Sequence, residues 1–238
     1  MADSRGDHAA LSSAFASRGY VRLDGAFSAA LAGRCRDELW AAMGLSPDEP
    51  AQWTRPVVRL PGMYTPPFVA AANTPRLHAA YDALVGPGRW VALGGLGTFV
   101  IRFPSSEPPG DDGWHVDMSF GTETPDFMEW RVNARSRGRA LLMLFLLSDV
   151  GPDDAPTRIR VGSHRIIARE LEPHGEAGLS LRELAADGFA STADCEEVLA
   201  TGEAGTVYLC HPFLVHAAQL HRGRRPRFLA QPPLLPAT

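Results

Sequence analysis

The sequence predicts a mainly β protein of the sandwich or jelly-roll type, with helices flanking the sheets. From Trp90 onward, short runs rich in β-branched and aromatic residues follow one another, separated by polar turns rich in proline and glycine. Few helical segments lie between these runs, which argues against a parallel α/β sheet. Helical patterns concentrate in the first ninety residues, and these helices are expected to pack on one sheet.

The first predicted helix has clear start and stop signals. Ser28 is a favourable N-cap, and Gly44 can end the helix in a left-handed conformation. Between them Leu31, Cys35 and Leu39 recur at four-residue spacing, which places them on one side. That side is expected to be buried.

A second helix is predicted after Thr74. This residue can act as N-cap, Pro75 suits the first helical position, and Gly86 can end the helix. Its apolar side would carry Leu77, Tyr81 and Leu84. Both helices therefore need a partner surface for one apolar face.

The remaining chain is predicted to form one jelly-roll core. The expected strands lie at 96–103, 113–118, 140–150, 157–161, 205–216 and 226–231. We expect a single domain over residues 1–238, with a helical part at 1–90 and the core at 91–238.

Three insertions in the core are expected to form a lid over a site. They span 104–113, 119–139 and 163–204, and loops on a rigid scaffold commonly carry binding function. The third is too long for a plain loop, and the pattern at 180–188 predicts a helix within it.

Composition excludes several classes of function. The chain has 238 residues, of which 45% are apolar, enough for a substantial core. All 23 residues counted as Lys or Arg are arginines, which excludes lysine Schiff-base chemistry, pyridoxal phosphate and a Walker-type nucleotide loop. The net charge of −4, without a dense basic run, argues against a nucleic-acid partner.

Cysteine usage and hydropathy predict a cytoplasmic protein. Cys35, Cys195 and Cys210 are far apart, which favours neither a disulfide framework nor a zinc knuckle. The longest apolar run, 140–147, is too short to cross a bilayer, and no signal-peptide pattern precedes it. We expect no membrane partner and a monomer or homodimer.

The segment GWHVD at 113–117 contains a candidate for half of a metal site. Side chains two apart in a strand point the same way, so His115 and Asp117 would offer an imidazole and a carboxylate to one point. An isolated pair of this kind is more often structural than metal-binding. A third ligand from elsewhere in the chain is therefore required.

Two histidines in the stretch LCHPFLVHAAQLHRGRRPRF at 209–228 are candidates for that third ligand. The stretch predicts a hairpin with its turn after residue 221, in which His216 faces Arg227 and His211 faces Pro232. His216 is the better candidate, because the arginine that faces it could bind a ligand of the same metal site, whereas Pro232 opposite His211 could not. Two histidines and one carboxylate leave half of a metal's coordination sphere open, which suits Fe(II) binding a cosubstrate and dioxygen. A guanidinium nearby could hold the far carboxylate of a dicarboxylic acid.

Taken together, these segments resemble the phytanoyl-CoA dioxygenase family of Fe(II)/2-oxoglutarate oxygenases. The resemblance rests on GYVRLDG, GWHVD, LFLLSDVGPDDAPTRIRVGSH and HPFLVHAAQLHRGRRPRF, and it extends over nearly the whole chain. It implies a double-stranded β-helix (cupin-like jelly roll), with Fe(II), 2-oxoglutarate and O2 as cofactor and cosubstrates. It also implies iron ligation by His115, Asp117 and His216, and a bond from Arg227, eleven residues after His216, to 2-oxoglutarate.

The resemblance suggests three lesser candidates for the cosubstrate pocket. Arg102 resembles a family arginine near the active site, although a rim arginine with its stem on the sheet explains it equally well. Thr157 and Asn133 are the other two. Ala218 departs from the family, since many members have serine two residues after the distal histidine.

The implied reaction is oxidation of an unactivated C–H bond in a small molecule. Retention of Asp117 disfavours halogenation, because related halogenases replace this carboxylate by a small residue. We expect the enzyme to modify a secondary metabolite such as an oligosaccharide antibiotic, so the substrate would be glycosylated. The modification would be a hydroxylation or an oxidative cyclisation such as orthoester formation. The alternatives are a phytanoyl-CoA-like acyl hydroxylase, a zinc-dependent hydrolase or isomerase with the same ligands, and a catalytically silent carbohydrate-binding jelly roll.

Overall fold

The computed structural model describes residues 4–135 and 138–237 of the chain. The lid expected at 119–139 therefore includes two positions, 136 and 137, that lie outside the described residues, as do the two ends of the predicted domain. Within the described residues, no helix is long and apolar enough to cross a membrane.

The helices lie mostly before the core strands. The α-helices of the described residues are α1 (Ser4–Arg18), α2 (Ala29–Met43), α3 (Pro66–Ala72), α4 (Pro75–Val85), α5 (Ser163–Leu171) and α6 (Leu181–Leu184). The Ser28 hydroxyl accepts a hydrogen bond from the amide of Leu31, and Gly44 ends α2 at a φ of 65°. Thr74 caps α4 in the same way. The predicted ends of both helices are thus confirmed.

All strand pairs among the described residues are antiparallel. The strands are β1 (Tyr20–Leu23), β2 (Val57–Leu60), β3 (Phe99–Arg102), β4 (Arg131–Val132), β5 (Leu141–Leu146), β6 (Arg158–Arg160), β7 (Leu179–Ser180), β8 (Glu197–Leu199), β9 (Val207–Cys210), β10 (His216–Ala217), β11 (Arg227–Ala230) and β12 (Pro233–Leu234). A large sheet has the order β1-β9-β5-β11-β3-β2, with β12 on β5. A smaller sheet has the order β10-β6-β8, and β4 pairs with β7.

The large sheet separates a helical layer from the interior of the jelly roll. Because side chains alternate along a strand, Phe99 and Ile101 of β3 face the helices, together with Phe228 of β11. This face packs on the apolar sides of α2, α3 and α4, as predicted for the N-terminal helices. The opposite face of β3 carries Val100 and the buried Arg102.

A second apolar core lies between the two sheets. Leu144 and Leu146 of β5 and Leu229 of β11 meet Ile159 of β6 there. The inward face of the large sheet is thus apolar along most of its length. The charged Arg102 and Arg227 lie on the same inward side, so they can serve a site inside the fold.

Three sequence expectations about strands were wrong. No strand forms at 113–118, where His115 makes only an isolated bridge. The helical part at 1–90 also contributes β1 and β2, which form both edges of the large sheet. The hairpin expected at 205–231 does not form: β10 pairs with β6, whereas β11 pairs with β3 and β5. The chain leaves the large sheet after Cys210, at Pro212, which lacks the amide needed to continue a ladder.

Candidate active site

A cavity of about 690 Å³ opens into the jelly roll at the ends of β3, β10 and β11. Its lining includes most of the residues singled out in the sequence, namely His115, Asp117, His216, Arg227, Arg102 and Thr157. Segments that are distant in sequence therefore converge on one space.

The two candidate histidine ligands are held together by their backbones. His115 and His216 form an isolated antiparallel bridge, in which each amide donates to the other's carbonyl at 3.0 Å. Their ring centroids are 4.2 Å apart. His115 is therefore brought to His216 by a backbone bridge to β10 of the smaller sheet. A hairpin between β10 and β11 is not involved.

Both imidazoles are oriented by hydrogen bonds to nearby carbonyls. Nδ1 of His115 lies 2.9 Å from the Gly113 carbonyl, and Nδ1 of His216 lies 2.9 Å from the Leu214 carbonyl. A carbonyl acceptor fixes the proton on Nδ1 and leaves the Nε2 lone pair available. This is the usual environment of a metal-binding histidine.

The Asp117 carboxylate is buried beside them. Its Oδ1 lies 3.2 Å from Nη1 of Arg139, and its Oδ2 is buried without a hydrogen-bond partner. Burial raises the pKa of this carboxyl, and the charges of Arg139 and then His115 oppose that rise. A buried carboxylate oxygen without a partner is costly unless a cation approaches it.

The protonation states of the histidines also suit metal binding. Burial lowers the pKa of His115 and of His216 to about 4. Both imidazoles are therefore neutral at pH 7, the form in which they can donate a lone pair to a metal.

The donor set fits a metal ion, although the ligands are not preassembled. Within residues 4–135 and 138–237, no three His, Cys, Asp or Glu side chains already form a complete metal-binding group. Asp117 is paired with Arg139 instead. Two oriented imidazoles and a buried, half-unpartnered carboxylate are nevertheless the donor types of a 2-His-1-carboxylate centre.

Arg227 lines the cavity as a buried cation whose donors are only partly satisfied. It is 2% exposed, its Nη1 donates to the Ala155 carbonyl, and its Nε has no partner. Burial, followed by the charge of Arg102, lowers its pKa to about 9. Arg102 is its direct cross-strand neighbour on β3. A carboxylate entering the cavity would relieve this unfavourable burial.

Arg102 is already neutralised in part. Its Nη2 lies 2.7 and 2.8 Å from the two carboxylate oxygens of Asp111, which also pairs with Arg59. Nε and Nη1 of Arg102 remain buried without partners. Asp111 thereby fastens the expected lid 104–113 to the large sheet, a role that no local pattern in the sequence indicates.

The lesser candidates are placed differently. Thr157 lines the cavity and is 5% exposed, and Ala218 also lines it. Asn133 is not among the described lining residues, and its side-chain amide donates to the Glu176 carbonyl at 2.8 Å. His211, the other histidine weighed as a ligand, packs 5.1 Å from the ring of His164 outside the cavity.

Several lining residues were not among the site residues predicted from the sequence. The expected lid 119–139 contributes Phe127, Met128, Trp130 and Arg139, and α6 contributes Leu181. Trp114 completes this side, held by the guanidinium groups of Arg158 and Arg160 at 4.5 and 4.1 Å from its ring centroid. Their sequence signals were only an aromatic-rich loop and an arginine before an apolar strand, which are common features.

Known structures share this fold. The chain is similar to the non-heme alpha ketoglutarate dependent epimerase SnoN from nogalamycin biosynthesis, with 17% identity, 98% of this chain and 85% of that chain covered, and a TM-score of 0.63. It is also similar to EctD from S. alaskensis, with 22% identity, 97% and 76% coverage, and a TM-score of 0.61. For HygX from Streptomyces hygroscopicus the identity is 20%, the coverage is 91% and 82%, and the TM-score is 0.56. The predicted cupin-like jelly roll is thereby confirmed.

Sequence comparison gives the family directly. No curated protein matches the chain. The family model described as Phytanoyl-CoA dioxygenase (PhyH), by contrast, matches residues 15–229, most of the 238 residues. The chain therefore belongs to the phytanoyl-CoA dioxygenase family and is an Fe(II)/2-oxoglutarate-dependent enzyme.

Proposed function

We propose that this protein oxidises an unactivated C–H bond of a small molecule in secondary metabolism, by hydroxylation or oxidative cyclisation. One observation carries the proposal: two imidazoles with free Nε2 atoms, a buried carboxylate and a buried arginine line one cavity. A hydrolytic zinc site would use the first three groups but would leave Arg227 without a purpose.

In this proposal His115, Asp117 and His216 hold Fe(II), and Arg227 binds the distal carboxylate of 2-oxoglutarate. When bound, Fe(II) with 2-oxoglutarate and O2 would supply the oxidising chemistry that attacks a C–H bond. Thr157 and Arg102 line the same cavity and would border the cosubstrate. The apolar walls exclude water and position the substrate.

The relatives support a role in secondary metabolism. SnoN and the carbocyclase SnoK come from nogalamycin biosynthesis, and the HygX structure contains hygromycin B. SnoK lends support to cyclisation in particular. The three free cysteines fit the proposed location in the reducing cytoplasm.

Anaerobic titration with Fe(II) and 2-oxoglutarate tests the proposal. The wild-type protein should develop the weak visible charge-transfer band of a 2-oxoglutarate–iron complex. His216→Ala should abolish the band, whereas the control His174→Ala, which removes an exposed histidine, should leave it unchanged. Absence of the band in the wild type, or turnover without O2, would contradict an oxygenase.

A further inference from the structure

The segment 119–139 contributes most of an apolar wall of the cavity. Phe127, Met128 and Trp130 from the segment 119–139 line it together with Leu181 of α6 and Ala185 directly after that helix. Trp130, Met128 and Ala185 rest on the apolar core beneath α5 and α6. The wall is therefore rigidly backed on its far side.

Phe127 brings this wall next to the proposed iron ligands. Its ring centroid lies 6.5 Å from that of His115 and 5.1 Å from that of Trp130, in both cases edge to face. The side chain is 44% exposed, which is unusual for a phenylalanine. An exposed aromatic surface inside a cavity is suited to contact with a flat apolar ligand.

The same segment ends in a cation that faces the cavity. Arg139 lines the cavity, its Nη1 pairs with Asp117 Oδ1 at 3.2 Å, and its side chain is 27% exposed. A guanidinium has five N–H donors, more than one contact with Asp117 uses, so this exposed side chain can also bind an acidic group of a ligand.

The cavity has an excess of positive charge. Four lining arginines, Arg59, Arg102, Arg139 and Arg227, oppose two aspartates, Asp111 and Asp117. Imidazoles are neutral when they bind a metal, and the charges of Fe(II) and 2-oxoglutarate would cancel. Two positive charges thus remain after the cosubstrate is bound, and a cavity focuses such a field onto its contents.

We propose that the substrate is an anionic compound with a flat apolar ring system. Its acidic group pairs with Arg139, while its rings lie against Phe127 and Trp130. This inference rests on the proposed function, since it assigns the substrate to the part of the cavity that the cosubstrate leaves free. It disfavours polycationic substrates, which the same charges would repel.

Three matched probes test the charge preference. 2-Naphthoate, 2-naphthamide and 2-naphthamidine share one ring system and are anionic, neutral and cationic. Their dissociation constants are measured anaerobically by calorimetry on the protein loaded with Fe(II) and saturating 2-oxoglutarate. The carboxylate should bind about tenfold more tightly than the amide, as expected for a charge-assisted hydrogen bond, and the amidine should bind most weakly.

Variants show which residues cause the preference for the anionic probe. Arg139→Gln should reduce the carboxylate-to-amide ratio to near one, and Phe127→Ala should weaken all three probes. The control Arg22→Gln removes an equally charged but exposed residue outside the cavity and should leave the ratio unchanged. An equal loss for carboxylate and amide in Arg139→Gln would mean that Arg139 only positions Asp117, which overturns the proposal.

Two further outcomes separate this proposal from the proposed function. If 2-naphthoate bound the Fe(II) protein without 2-oxoglutarate but lost that binding at saturating 2-oxoglutarate, the probe would occupy the cosubstrate site, which would overturn the inference. If the charge-transfer band forms but the probes show no charge preference, the substrate class alone is refuted. If the band does not form, the proposed function fails.

Discussion

Arg227 is expected to destabilise the fold that contains it. The side chain is 2% exposed, and burial followed by the charge of Arg102 lowers its pKa from 12.5 to about 9. At pH 7, below both values, the arginine is charged in the folded and the unfolded state, so the folded state bears the full cost. The lowering of this pKa corresponds to a cost of about 5 kcal/mol in the stability of the folded state.

Arg227→Met removes this cost while keeping most of the volume. The lost hydrogen bond to the Ala155 carbonyl and imperfect packing offset about 3 kcal/mol of the gain, so a net stabilisation of about 2 kcal/mol is expected. For a chain of this size that raises the melting temperature of the metal-free protein by about 4–8 °C. The affinity for 2-oxoglutarate should fall about tenfold to a hundredfold, because a charge-assisted bond is lost.

Thermal unfolding by circular dichroism without metal or cosubstrate, and the anaerobic charge-transfer titration, measure the two effects. Arg22→Met is the matched control: its arginine pairs with Asp24 at the surface, and its removal should change stability by less than about 0.5 kcal/mol. An Arg227→Met protein that melts several degrees below the wild type would refute the reasoning. So would unchanged affinity for 2-oxoglutarate.

Two further predictions concern the lid and acid stability. Asp111→Asn leaves the buried Arg102 without its counter-charge, so the free energy of unfolding should fall by about 2 kcal/mol. Limited proteolysis within 104–113 should then be faster. An unchanged cleavage rate would contradict the proposed attachment of this segment to the sheet. Burial lowers the pKa of His164 in the folded state. As the pH falls below about 6.5, the unfolded state therefore binds a proton before the folded state does. The stability that is present above this pH is lost below it. His164→Gln should flatten the decline of melting temperature between pH 7.5 and 5, and an equally steep decline would count against this histidine.

Local signals in the sequence determined the ends of two helices, α2 and α4. Side-chain caps, proline at the first position and a terminal glycine act within a few residues, so Ser28, Gly44 and Thr74 mark the ends of α2 and α4 as predicted. Residue chemistry likewise predicted His115, Asp117, His216 and Arg227 as candidates for one site, because few functions require that combination. All four line one cavity.

The reason for their proximity, however, came only from the tertiary structure. The sequence assigned His216 and Arg227 to one hairpin, whereas His216 lies on β10 in the minor sheet and Arg227 on β11 in the large sheet. Strand pairing depends on contacts between distant segments, and both arrangements satisfy the same alternation of side chains.

The same limit applies to Asp111, Phe127 and Arg139. Their types and neighbours are ordinary for loops, and only the folded chain brings Asp111 to Arg102 and Arg139 to Asp117. The sequence by itself determined the ends of α2 and α4 and the class of chemistry, and it predicted the proposed donor set, because these depend on residue type and short-range geometry. The three-dimensional fold decided which strands are neighbours and which charges face the cavity, because long-range packing selects among pairings that local preferences leave equivalent.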